Sequence, residues 1–198
     1  EAIFTHDLEP QHCEREAAIL KAFDAGDTVE SMADAFGTTS ADVERTLRSG
    51  QLRRWKHTPW ECLHNELFDA PNAEALILDA EEPVGEATLP VRIPKDLPPY
   101  LRQLYVTPLL SREQEHDLFR RYNYLKYKAA KAIRAVDPDS ASSDEFDGVA
   151  DLSKRIEDVR QRITRANLRL VVSIAKKHVG WTSNFFEVVS DGNMSLMR

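Results

Sequence analysis

The chain reads as all-α: a small helix-turn-helix-like three-helix module, a Pro-rich acidic linker, and then a helical bundle. Two features carry that reading. Ile156, Val159, Ile163, Leu170 and Ile174 recur at helical intervals, and Leu168, Val171, Val172 and Ala175 add a second apolar flank. A helix apolar on more than one side is enclosed by other helices. Capping residues and breakers divide the first sixty positions into three short helical stretches. With 198 residues, 42% of them hydrophobic, the chain can bury the core of one large or two small domains.

The front module is expected over residues 1–58. Glu14 to Phe23 reads as a helix burying Ala17, Ile19, Leu20 and Phe23, and Asp24-Ala25-Gly26-Asp27 breaks it. Thr28 caps a second helix, Val29 to Phe36, and Ser40 is the expected cap of a third, Ala41 to Arg54. Ala33, Gly37 and Val43 take the spacing of a helix-turn-helix: a small residue for close packing, a glycine for a left-handed turn, and a buried aliphatic on the next helix. If the third helix reads DNA, its candidate contacts are Thr39, Ser40, Asp42, Glu44, Arg45 and Arg48, with Arg53, Arg54 and Lys56 on phosphates. The competing reading is a three-helix scaffold that packs on a neighbour, and the carboxylates Asp42 and Glu44 tilt the balance toward it.

Residues 59–94 are expected to form a linker or extended arm, interrupted by Pro59, Pro71, Pro83, Pro90 and Pro94 and charged at Glu81, Glu82 and Glu86. Trp55, Trp60, Leu63, Leu67 and Phe68 are assigned to the front module's own core.

The last part, residues 95–198, opens with Pro98-Pro99 in a first turn and Tyr100, Leu101, Leu104 and Tyr105 at helical spacing. After Pro108-Leu109-Leu110, Ser111 and Gln114 form a capping-box pattern that starts a helix running to about Val136. Asp137 to Gly148 reads as a surface loop. A long helix is expected from Asp151 or Ser153 to about Val179, with His178 near its end, where a cation suits the dipole, and Gly180 as its stop. In the final segment Phe186, Val189, Met194 and Met197 form the expected apolar side, leaving Glu187, Ser190, Asp191 and Asn193 facing out.

The run Asn167-Leu168-Arg169-Leu170-Val171-Val172-Ser173-Ile174-Ala175-Lys176-Lys177, with Asp191-Gly192-Asn193 and Leu196-Met197-Arg198 behind it, resembles regions 2.1 and 2.2 of the sigma-70 family of bacterial RNA polymerase sigma factors. Tyr100-Leu101-Arg102, Pro108-Leu109-Leu110 and Ser111-Arg112-Glu113-Gln114-Glu115 resemble the family's region 1.2, with Tyr105 standing where the family has Gly. This resemblance implies a sigma region 1.2/2 helical domain that acts in promoter-specific transcription initiation. It implies core RNA polymerase as a partner, through contacts on the β′ clamp helices from Glu187, Ser190, Asp191, Asn193 and Met197, with Ser190 replacing the family's Gln. It also implies promoter DNA as a partner near the -10 element and discriminator, contacted by Leu101, Arg102, Leu110 and Asn167, and an anti-sigma factor as a further class of partner. A rival expectation is a sigma-like regulator that occupies the polymerase without opening DNA. A third is that the front module folds its acidic surface over the basic half as an autoinhibitory arm.

Charge divides the chain. Residues 1–91 carry 7 Lys and Arg against 19 Asp and Glu, and residues 92–198 carry 19 against 14, which splits the net -7 into -12 and +5. The two parts therefore suit different partners, and the acidic front is poorly suited to non-specific DNA binding. Cys13 and Cys62 lie far apart and outside any ligand cluster, so reduced thiols and no metal site are expected. The six His are scattered, and neither a nucleophile-base pair nor a phosphate loop is present, so no enzyme activity and no cofactor are expected. No apolar run approaches a membrane span and no signal peptide is visible, which places the expected protein in the cytoplasm without membrane contact. With Glu1 at its start and Arg198 in mid-pattern, the chain is expected to be part of something longer, with the family's strand-opening aromatic helix to follow.

Overall fold

The computed structural model describes residues 10–83, 109–178 and 183–196. Among them every regular element is helical, as the sequence predicts. The chain packs as two compact units, Glu1–Trp60 with Ala129–Asp151, and Glu61–Lys128 with Leu152–Arg198.

In the first unit, α1 (Pro10–Asp24), α2 (Val29–Phe36) and α3 (Ser40–His57) enclose Ile19, Met32, Ala33 and Val43, flanked by Ala22, Phe36 and Leu47. Thr28 Oγ1 accepts from the Ser31 amide, and Gly37 ends α2 in the left-handed conformation, φ 59. The cap of α3 differs from expectation. Thr39, not Ser40, holds the extended cap conformation and accepts from the Asp42 amide. Two adjacent hydroxyl residues both satisfy the sequence rule, and the tight exit from Gly37 brings the first of them into register.

Two more expectations are corrected. Leu63 and Leu67 are exposed, and Phe68 is buried in the second unit, so these three do not belong to the front module's core. Trp55 does remain in the first unit, stacked on Phe146 with ring centres 5.6 Å apart. The segment 137–148 is not loop throughout. Ser142 Oγ accepts from the Glu145 amide at 3.2 Å while the Glu145 carboxylate accepts from the Ser142 amide at 2.9 Å, a complete capping box. It starts the long helix α6 (Ser143–His178) eight residues before Asp151.

In the second unit a 3-10 turn (Glu66–Asp69) and the short α4 (Ala73–Ile77) bury Phe68, Ala73 and Ile77 with Tyr124 of α5 (Arg112–Ala135). Residues 78–83, which the proline pattern reads as linker, are held by side chains. Arg121 Nη1 and Nη2 donate to the Leu78 and Ala80 carbonyls at 2.8 and 2.6 Å, Gln114 Nε2 donates to the Pro83 carbonyl at 3.1 Å, and Arg162 forms a two-point pair with Glu82. The capping box at Ser111 and Gln114 forms as predicted, with reciprocal bonds of 3.2 and 3.0 Å. The helix expected around Tyr100 and the stop at Gly180 lie outside the described residues.

Candidate functional site

The last two helices are joined by a core of Val172 and Ala175 from α6 and Phe185 and Val189 from α7 (Ser183–Leu196). Gly192 fixes how closely they approach. A Cβ placed there would lie 2.5 Å from Val171 Cγ1, so any larger residue would push the helices apart. The inward face of α7 is thus Phe185, Val189 and Gly192, one step round from the expected one. Phe186 and Met194, expected inside, are 45% and 54% exposed, and on α6 Leu170 and Ile174 are 56% and 47% exposed. An adjacent Phe pair fits a helical period at either member, so spacing alone could not choose; the small Gly192 was the available signal.

This rotation sets the exposed face of α7. Glu187, Ser190 and Asp191 are exposed beside Phe186 and Met194. Asn193 is half-buried, and its Oδ1 is enclosed with no hydrogen-bond partner among the described residues. Met197 lies outside them. The face can present two carboxylates around exposed apolar groups, a combination that suits a basic, amphipathic partner. Sequence reasoning missed Phe186 and Met194 as members of this face.

Of the candidate DNA contacts, Leu101 and Arg102 lie outside the described residues. Leu110 is partly buried just before α5. Asn167 is partly buried too, with Nδ2 donating to the Ile163 carbonyl at 3.0 Å, which leaves its Oδ1 as the accepting group.

The arginines of α3 are engaged within their own unit. Arg45 pairs with Asp42 at 2.8 Å, Arg48 Nη1 donates to Ser143 Oγ at 2.7 Å, Arg53 pairs with Glu16 and Asp139, and Arg54 holds Asp24 through two bonds. Hydrogen bonding from Thr39, with Arg45 beside it, holds the Asp42 carboxyl below its ordinary range; the Arg54 hydrogen bond does the same for Asp24. Thr39 is spent on its cap, and Ser40 is exposed. Among the described residues no cluster of His, Cys, Asp and Glu could hold a metal, and no helix is long and apolar enough to cross a membrane.

Among known proteins, the chain is 45% identical over 56 residues to RNA polymerase sigma factor SigA of Bacillus sp, covering 26% of this chain and 15% of the relative. It is 49% identical over 51 residues to SigA of Listeria monocytogenes serovar 1/2a, covering 24% and 14%. A longer match, 31% over 123 residues, is to SigA of Clostridium acetobutylicum, covering 61% of this chain and 25% of the relative. The chain thus spans between 14% and 25% of the length of these relatives. No family model and no solved structure matches it.

Proposed function

This chain carries a segment of the sigma-70 family of RNA polymerase sigma factors, and from that premise we propose that it serves promoter-specific transcription initiation by docking α7 on the clamp helices of the polymerase β′ subunit. The observation that carries this reading is the α7 face itself: Glu187, Ser190 and Asp191 exposed beside Phe186 and Met194 on a helix seated firmly on α6. Exposed carboxylates steer a basic hairpin into place, and the apolar groups between them supply contact area once it arrives. Asn193 is half-buried with its Oδ1 enclosed, so that acceptor reaches a partner's donor only if the side chain turns outward.

Promoter DNA is the second proposed partner. Leu101, Arg102, Leu110 and Asn167 are its proposed contacts at the discriminator, an apolar and hydrogen-bonding set suited to unpaired bases and phosphates. In the front unit Ser40 is exposed, but Thr39, Arg45 and Arg48 would need to exchange present partners for DNA. Their engagement favours the scaffold reading of that unit.

The test is binding of the full chain to a β′ clamp-helix hairpin peptide, read by fluorescence anisotropy. Replacing Glu187→Ala with Asp191→Ala, both on the exposed face, is expected to weaken binding about tenfold or more. Unchanged affinity in that double variant, or no binding by the parent chain, would sink the proposal.

A further inference from the structure

The first unit has a groove of about 440 Å³. Its apolar walls are Leu20 and Phe23 of α1, Leu47 and Trp55 of α3, and Phe146 of α6. Phe23 is 50% exposed although it lies on the side of α1 that the sequence marks as buried. Trp55 and Phe146 stack on each other, which fixes their rings as a rigid surface.

Charge decides what this groove takes. Of its two arginines, Arg54 is neutralised by Asp24, whereas Arg48 donates to the neutral Ser143 hydroxyl and keeps its positive charge. Its two carboxylates, Glu44 and Asp147, are exposed and enter no ion pair among the described residues. Two such carboxylates against one unneutralised arginine leave the rim with a net negative charge, around an aromatic floor.

We propose that this groove is a docking site for a basic amphipathic helix of a partner protein, with large apolar side chains on Phe23, Trp55 and Phe146 and lysines or arginines facing Glu44 and Asp147. Helix-in-groove recognition needs this combination of an apolar trough and a complementary rim. A nucleic acid would meet carboxylates where its phosphates lie. The inference rests on the groove alone and stands whether or not α7 binds polymerase.

The experiment uses the full chain and two labelled synthetic helices of about 18 residues, five turns. One has Leu at i, i+3, i+4 and i+7 with Lys at its polar positions; the other has Glu in place of Lys. The Lys helix is expected to bind at least about tenfold more tightly than the Glu helix, with an affinity that falls as salt rises. Glu44→Lys with Asp147→Lys, and separately Phe23→Ser, should each weaken it about tenfold while leaving the thermal midpoint in place. Glu30→Lys with Asp34→Lys, the same charge change on α2, should leave it unaltered. Three outcomes would overturn the proposal: equal binding of both helices, equal loss from the α2 reversal, or self-association of the parent chain abolished by Phe23→Ser, which would give the groove to a second copy.

Discussion

Gly192 and Thr39 are the single residues on which local geometry turns. At Gly192 a methyl group would collide with Val171, a β-branched side chain with few rotamers to escape into. Gly192→Ala is therefore expected to cost about 1–3 kcal/mol of stability in chemical denaturation, as overpacking does. It should also weaken the clamp-peptide complex by displacing α7, although the residue itself is not on the exposed face. At the start of α3, Thr39→Ala should cost about 1 kcal/mol whereas Ser40→Ala stays within about 0.5 kcal/mol, because only Thr39 has its side-chain oxygen on an amide of the first turn, that of Asp42. Equal costs at the two positions would show that the cap is shared.

At the scale of elements, α5 works as a clasp. Asp117 is buried and accepts from Arg120 and Arg121 at 2.6 Å each, and Arg121 carries on to the carbonyls of Leu78 and Ala80. Arg121→Ala strips one partner from a buried carboxylate and frees two carbonyls, so a loss of about 2–4 kcal/mol is expected. Faster amide exchange over 73–80 should accompany it. Lys128→Ala, which breaks only the half-exposed pair with Glu74, should cost under about 1 kcal/mol. Acid should loosen the same region. Hydrogen bonds from Lys128 and Arg162 hold the carboxyls of Glu74 and Glu82 below the ordinary value of 4.5. A depressed folded value means that the stabilisation is complete above the ordinary value and is lost as pH falls through the depressed one. Unfolding midpoints measured from pH 7 down to about pH 3 should therefore decline below the ordinary glutamate value. The decline should flatten in Glu74→Gln with Glu82→Gln, and a slope unchanged by that pair of substitutions would assign the acid sensitivity elsewhere.

At the scale of the whole molecule, the two units do not follow the chain in simple succession. The first joins residues up to Trp60 with Ala129–Asp151, and the second takes up the chain at Glu61. Cutting at the acidic-to-basic boundary near residue 91 would remove Phe68, Ala73 and Ile77 from Tyr124 and leave its ring uncovered. A piece covering residues 92–198 is accordingly expected to unfold at lower denaturant than the full chain and to aggregate more readily. A midpoint equal to that of the full chain would show that the segment before residue 91 is dispensable.

What the sequence by itself determined is helical order and its punctuation. Thr28, Gly37 and the Ser111–Gln114 box act within a few residues of backbone, and Ala33 and Val43 are small or apolar at positions that the turn alone brings together. The Ser142–Glu145 box was written in the same local code and could have been read. The tertiary structure decided which side of a helix faces inward and which polar groups find distant partners. Phe185 rather than Phe186 turns in because Gly192 lets α7 close on Val171, and residues 78–83 are held because Arg121 and Arg162 reach them from forty or more positions away. Helical period fixes relative angles along one element but not its absolute rotation, which is set by the fit of side chains across two surfaces; that fit also decided which part of the α7 face is left for a partner.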